Sequence, residues 1–222
     1  LVTGGAGSIG SEIVRQVASY QPKLLLILDQ AETPLHNIQL EMQSDFPDLN
    51  FKCIICDVTN HRRLEDLFSS YDIDVIYHAA AYKHVPLMEE NPQEAVAVNI
   101  RGTRNLADLA LQYHVGHFVM VSTDKAVNPT NVMGASKRVA EMYVQSLYKW
   151  QQNNGSRTKF ITTRFGNVLG SNGSVVPLFR KQIENKEPIT ITHPSIIRYF
   201  MTIPEACQLV LEAGAMGKGG EI

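Results

Sequence analysis

The chain has 222 residues, 44% hydrophobic and 19% charged, and its 20 Lys and Arg nearly balance 22 Asp and Glu for a formal charge of −2. That composition is globular rather than disordered or fibrous, and it lacks the basic excess with which a protein grips nucleic acid. No apolar run reaches the roughly 20 residues of a membrane-spanning helix, and no charged-then-apolar leader opens the chain, so the expectation is a soluble, cytoplasmic domain.

In chain order, short apolar runs alternate with helical patterns, as in a sheet whose strands are joined by helices. Residues 1–2 read as the tail of a strand, and further strands are expected over 23–28, 51–58, 74–80, 115–122 and 159–165. Helices are expected over 11–18, 33–45, 62–68, 93–112 and 134–150. The runs after the first are apolar almost throughout rather than alternating, as strands covered on both faces are. The expected fold class is α/β, with a doubly wound parallel sheet over residues 1–165. From Gly166 the texture changes to a Gly/Asn/Ser-rich loop as far as Gly173, a helix over 175–185, a short run at 189–192 and a helix over 204–215. Residues 166–222 are expected to form a smaller substrate-side region. The two-residue first strand, and the Gly219-Gly220 pair close to the last residue, lead to the expectation of a segment of a longer protein.

Three cysteines do not make a disulfide framework. Cys53 and Cys56 form C-x-x-C, a spacing with redox and metal uses, but they sit in a strand-like run where residues three apart face opposite sides. They read as packed thiols. The seven histidines show no H-E-x-x-H and no Cys/His cluster at zinc spacing, so no metal is expected.

Gly5-Ala6-Gly7-Ser8-Ile9-Gly10, preceded by Thr3-Gly4, matches G-x-G-x-x-G. Alone the match is weak, but a strand end precedes it, a helix follows, and Asp29 ends the next strand 19 residues after Gly10. That context marks a dinucleotide site. Glycines let the backbone approach a pyrophosphate, and the helix N-terminus offers unpaired N–H groups to it; Gly4, Gly7, Ser8, Ile9 and Gly10 are the candidates. Asp29 accepts from ribose hydroxyls and repels a 2′-phosphate, and Gln30-Ala31-Glu32 holds no arginine to welcome one. The expected cofactor is NAD rather than NADP.

Ligands of an open parallel sheet bind at the carboxyl ends of its strands. The fifth run ends in Ser122-Thr123-Asp124-Lys125, followed by the turn signal Asn128-Pro129 and then Met133-Gly134-Ala135-Ser136-Lys137 at the start of a helix. With His78-Ala79-Ala80-Ala81-Tyr82-Lys83-His84-Val85-Pro86, Asn99, Gly102-Thr103, Arg164 through Ser171, and Arg198 through Thr202, these blocks give the chain its resemblance. It resembles, over essentially all 222 residues, an extended short-chain dehydrogenase/reductase with a Rossmann sheet. Within that superfamily it is most similar to the UDP-N-acetylglucosamine 4,6-dehydratases of bacterial polysaccharide and capsule biosynthesis.

One departure stands out. The superfamily usually places a proton-exchanging Tyr four residues before the lysine, where this chain has Met133, and a thioether exchanges no proton. A branch of the dehydratases that often carries an N-terminal membrane segment resembles this chain in that substitution. The resemblance therefore allows a parent protein anchored at a membrane.

The resemblance implies a lyase that oxidises the sugar at C4 with NAD, eliminates water across C5 and C6, and recycles the cofactor. Lys125 is then the candidate base at C5. Asp124 is the candidate acid at the C6 hydroxyl, and a stand-in for Tyr at C4. Thr123 orients the sugar and Lys137 holds the nicotinamide ribose. Asp57 is placed at the adenine, with Val58, Ala79 and Ala80 also on the cofactor side. Asn167 and the loop from Ser171 to Val176 contact the nucleotide of a UDP-sugar, Arg198 faces its diphosphate, and Lys83 and His84 border the sugar. Asn99 is expected to support backbone rather than react. A buried imidazole with satisfied partners is an equal alternative for His84, and a surface ion pair is the alternative for Arg198. The other activities are a C4 epimerase or C5-inverting dehydratase on the same scaffold, or a non-catalytic NAD-binding sensor. The helices at 93–112 and 134–150 carry apolar residues beyond one stripe, so a homo-oligomer is expected.

Overall fold

A computed structural model of the chain describes every residue except 154, 156, 157, 172–174, 192, 196 and 198. Strands β1 (Val2–Thr3), β2 (Leu25–Asp29), β3 (Phe51–Ile55), β4 (Val75–His78), β5 (His117–Thr123) and β6 (Lys159–Phe165) form a parallel sheet in the order β3-β2-β1-β4-β5-β6. The order reverses at β1, the switch point of a doubly wound sheet. Alternate residues face opposite layers, as a strand's period of two requires. Leu26, Leu28, Phe118, Met120 and Phe160 pack into one core, and Leu25, Ile27, Val119 and Ile161 into the other. The expected double coverage is therefore present.

The first core lies under helices α3 (His61–Ser70), α6 (Thr103–Gln112) and α7 (Val132–Gln152), whose Leu64, Leu106 and Val144 enter it. The second lies under α1 (Ser8–Ser19) and α2 (Glu32–Asp45), through Ile13, Val14, Leu35 and Met42. Cys56 packs into the first and Cys53 against the second, so the C-x-x-C pair does straddle the sheet.

Three expectations need correction. The run at 51–58 is a strand only to Ile55, and it is not covered on both faces: Lys52 and Ile55 are exposed because β3 pairs on one side only. The helix expected over 93–112 is preceded by a separate short helix, α4 (Val85–Glu90), and is not uniform. After α5 (Pro92–Ala95) it widens into a π-helix over Val96–Gly102 before α6. The buried Asn99 sits in that wide turn, and Gly102 rides against Val58, where a Cβ would lie 2.6 Å from a side-chain carbon. Single π turns of this kind often mark functional sites. No strand forms at 189–191, and 192 lies outside the described residues.

Beyond β6, β7 (Asn167–Val168) pairs in parallel with β8 (Phe200–Met201), and α8 (Val175–Glu184) stands outside both cores. The last helix, α9 (Ile203–Met216), opens with a capping box of Thr202 and Glu205 and sends Cys207 and Val210 into the second core. After it, Gly220 N–H donates to the Phe160 carbonyl and Thr162 N–H to that of Glu221. Residues 203–222 therefore return to the sheet, and a boundary at 166 cuts across one of its layers. Among the described residues, no helix is long and apolar enough to cross a membrane.

Candidate active site

The glycine loop follows β1, and sterics dictate its residues. Gly4 has φ +67°, and a Cβ there would sit 2.6 Å from the Ala80 backbone nitrogen. A Cβ on Gly10 would sit 1.9 Å from the Gly4 carbonyl oxygen. Only glycine lets the loop fold back this tightly onto β4 and the first turn of α1. Gly7 caps α1, whose positive end therefore opens on the loop. Asp29, at the end of β2, is engaged twice: one carboxylate oxygen accepts from Ala6 N–H at 3.0 Å, the other from Ala31 N–H at 2.9 Å. The acid thus holds the glycine loop and its own following turn.

A cavity of about 140 Å³ lies here, lined by Gly4, Gly7, Asp29, Asp57, Val58, Ala79 and Ala80 among others. These are seven of the expected cofactor residues. Ile9 instead lines a second, larger cavity of about 390 Å³. Gly10 lines neither and serves the packing of helix on loop, while Ser8 heads α1.

The larger cavity brings together Thr123, Lys125, Met133, Lys137, Lys83, His84 and Asn167. Asp124 and Val176 are not in its wall; Ser171, Val175 and Phe200 are. Asp124 reaches it through partners, accepting from Lys125 Nζ at 3.0 Å and from Thr123 Oγ1 at 2.9 Å. Burial raises the Asp124 carboxyl, but those donors outweigh it and hold the group below its ordinary range. It is therefore a carboxylate in the free protein. Arg198 lies outside the described residues.

Met133 is buried with Met88 and Ala95 in a small apolar cluster against which Tyr82 packs. Its thioether lines the larger cavity four residues before Lys137 and offers no exchangeable proton. Lys137, one turn on, is also buried; burial lowers its ammonium to about 8, with Glu141 acting against the fall. Partial burial lowers Lys83 as well.

Two buried residues hold this wall in place. Asn99 accepts from Tyr82 N–H at 2.8 Å, donates to the Tyr82 carbonyl at 3.0 Å and donates to Ser136 Oγ at 3.0 Å, so it clamps the loop after β4 to α7 beside Lys137. That is the supporting role expected of it. His78, at the end of β4, lies between two hydroxyls, with Thr3 Oγ1 2.7 Å from Nδ1 and Thr103 Oγ1 2.9 Å from Nε2. Thr103 spends its proton on the Asn99 carbonyl, so Nε2 carries the ring's hydrogen and Nδ1 accepts from Thr3. Burial, with Lys137 nearby, lowers this imidazole to about 3.

Sequence reasoning assigned no role to Tyr82, which lines both cavities, or to Glu141, described below. Tyr82 lay inside a motif already singled out, so position after a strand end was a usable signal. Glu141 offered none beyond its place four residues after Lys137.

A family model described as "Polysaccharide biosynthesis protein" matches residues 1–222. The capsular polysaccharide biosynthesis protein CapD of Staphylococcus aureus is 52% identical over 223 residues, covering all of this chain and 37% of the relative. A UDP-glucose 4-epimerase of Rickettsia massiliae is 35% identical over 226 residues, covering all of this chain and 64% of the relative. The chain thus spans little more than a third of the length of the first relative and under two thirds of the second. Among solved structures, Pen from Bacillus thuringiensis superposes with a TM-score of 0.88 at 38% identity over 98% of this chain and 65% of that one. DesIV from Streptomyces venezuelae, a dTDP-glucose 4,6-dehydratase solved with NAD, shares the fold with a TM-score of 0.82 at 24% identity, over all of this chain and 73% of that one.

Proposed function

We propose, on the premise that this chain belongs to the polysaccharide biosynthesis protein family, that it binds NAD and dehydrates a UDP-N-acetylhexosamine. The substrate we assign is UDP-N-acetylglucosamine and the product its 4-keto-6-deoxy form. One observation carries the reading: a single cavity wall presents Thr123 and Lys125, Lys125 is paired to Asp124, and a buried Met133 replaces the usual hydroxyl. The glycine-lined cavity beside it supports a place for the adenosine half of NAD, because Gly4, Gly7 and three alanines open its wall and Asp29 stands at one side.

NAD, held by the glycine loop, Asp29 and Lys137, would supply the reversible hydride chemistry at the sugar. The protein's own groups handle the protons. Asp124, a carboxylate at rest, takes the C4 hydroxyl proton, with Thr123 orienting the sugar. Lys125, the partner of Asp124 at rest, first gives its ammonium proton to water and then takes the C5 proton as the free amine. Asp124 then gives its proton to the C6 hydroxyl, which leaves as water, and Lys125 returns its proton to C5. Asp124 ends as the carboxylate, and Lys125 ends as the free amine, which regains its ammonium proton from water. Lys137 holds the nicotinamide ribose, Lys83 and His84 border the sugar, and Asn167 with Arg198 takes the nucleotide and its diphosphate. Exposed Val139, Met142 and Trp150 on α7 support pairing into a homo-oligomer.

The epimerase names among the relatives favour a second reading. An epimerase has to re-present a keto-sugar to hydride and uses the hydroxyl that Met133 lacks. Mass spectrometry of UDP-N-acetylglucosamine incubated with the protein and NAD separates them. Loss of one water, with solvent deuterium at C5, is the expected result. Unchanged mass with a new sugar configuration sinks the dehydratase reading, and no turnover at all favours a sensor.

A further inference from the structure

Glu141 is a fully buried carboxylate on α7, one turn beyond Lys137 and on the same helix face. Ser122 Oγ donates to it at 2.6 Å, Arg164 Nε and Nη2 at 2.8 and 2.5 Å, and Arg138 Nη1 at 3.2 Å. Three elements meet on this one side chain: α7, the end of β5 at the residue before Thr123, and β6. Well-packed apolar side chains join helices to sheets at least as stably as a buried ion pair. Adhesion alone does not explain a carboxylate here.

We propose that Glu141 is a positioning residue for the reaction wall. Its bond to Ser122 fixes the strand end that delivers Thr123, Asp124 and Lys125, and its charge keeps the neighbouring Lys137 an ammonium. The reaction this serves rests on the dehydratase reading; the counter-charge does not.

The electrostatics around Lys137 leave that task to Glu141. His78 of β4 is neutral and adds no charge beside Lys137. Lys125, Lys83 and His84 line the same cavity and bring no negative charge, and Asp124 is paired with Lys125. Against desolvation, Glu141 is the group that raises Lys137, which stands at about 8. Glu141 is shared with Arg138 and Arg164, so removing its charge should lower Lys137 further, by less than losing an unshared partner would.

The test is trace acylation of the folded protein across pH, read lysine by lysine through peptide mass spectrometry, beside the pH profile of water loss from UDP-N-acetylglucosamine. In Glu141→Gln, Lys137 should titrate at lower pH than in wild type, and the alkaline limb of kcat should move down with it. Glu141→Asp should shift both less, in the same direction. Ser122→Ala should slow turnover while leaving Lys137 unmoved, which a merely structural loss would not divide in this way. If Glu141→Gln does not fold, Glu141→Asp and Ser122→Ala decide alone. An unmoved Lys137 in the charge variants, with wild-type water loss intact, overturns the counter-charge. A shifted Lys137 without any wild-type water loss instead overturns the dehydratase reading. Turnover unchanged in Ser122→Ala overturns the strand-end role.

Discussion

Along β1 and β2 the cavity wall is backbone, held in shape by what glycine leaves out; along β5 and α7 it is side chains, held by buried polar contacts. Gly4 and Gly10 need no partner beyond close contact with Ala80 and each other. Thr123, Asp124 and Lys125 instead bond to one another, with Glu141 bonded to the adjoining Ser122 and Asn99 to Ser136 on α7. The two halves should therefore fail differently. Added volume breaks the first, and lost charge or lost hydrogen bonds break the second. A scaffold built this way keeps its cofactor while the reacting side changes.

The largest expected effect lies on the side-chain half. Lys125→Ala should cut turnover by about 10²–10⁴-fold, the usual contribution of a positioned acid or base, and abolish solvent deuterium uptake at C5. Its NAD affinity, measured by calorimetry, should stay within about twofold of wild type, since Lys125 lies outside the glycine-lined cavity. Normal C5 exchange in this variant would remove Lys125 from the mechanism. Loss of NAD binding with it would erase the division between the halves.

Next comes the backbone half. Gly10→Ala places a methyl group 1.9 Å from the Gly4 carbonyl, inside any contact distance, so loop or helix has to move. A destabilisation of about 1–3 kcal/mol is expected from such overpacking, seen as a lower denaturant midpoint, together with loss of NAD binding. Gly7→Ala is the control. Its added Cβ meets only the Gly4 carbonyl oxygen, at 3.3 Å, so its loss of stability should be clearly smaller. Equal damage from both would show that close packing is not what selects glycine here.

These contrasts follow what could be read from the sequence. The parallel, doubly wound class of the sheet, the glycine loop and Asp29 were legible because each rests on local chemistry: an apolar period, a turn that needs glycine, an acid at a strand end. Thr123 through Lys125 and Met133 were legible as motifs for the same reason. The exposed β3 edge was not, because its run is as apolar as a central strand and only pairing decides which strand lies outside. The wide turn at Val96–Gly102 was hidden too, since it answers to Val58 and Tyr82, residues far away in sequence. Glu141 was missed on the same ground: its partners Ser122 and Arg164 stand 19 and 23 positions away on two strands. α9 was legible as a helix, yet its place in the second core was not.

Asp29 blurs the boundary and gives a smaller effect. It is a side chain, but it holds the glycine loop through Ala6 N–H and its own turn through Ala31 N–H. Hydrogen bonds to a charged group contribute about 1.5–3 kcal/mol each, so Asp29→Ala should weaken NAD roughly tenfold or more and also loosen the loop. Simply removing the acid should then fail to create good NADP binding. If Asp29→Ala binds NADP as well as wild type binds NAD, the acid acts by repulsion alone and the loop stands without it.

The smallest effect is a slope rather than a loss, and it locates the side-chain half's sensitivity to acid. His78 is neutral and fully buried, lowered from 6.5 to about 3 in the folded protein by burial and Lys137. The unfolded chain takes up the proton near 6.5 while the folded chain refuses it, so between those values the unfolded state binds more protons. Stability contributed by the neutral ring is therefore complete above about 6.5 and drains as pH falls toward 3, at up to about 1.4 kcal/mol per pH unit. Carboxylates held low, Asp124 and Glu141 among them, also lose stability on acidification. The difference between wild type and His78→Gln isolates the imidazole. Glutamine keeps a donor and an acceptor for Thr103 and Thr3 but takes no proton, so its unfolding free energy should fall less steeply from pH 6.5 to 4. Parallel slopes for the two proteins would mean that protonated His78 is tolerated between its two hydroxyls.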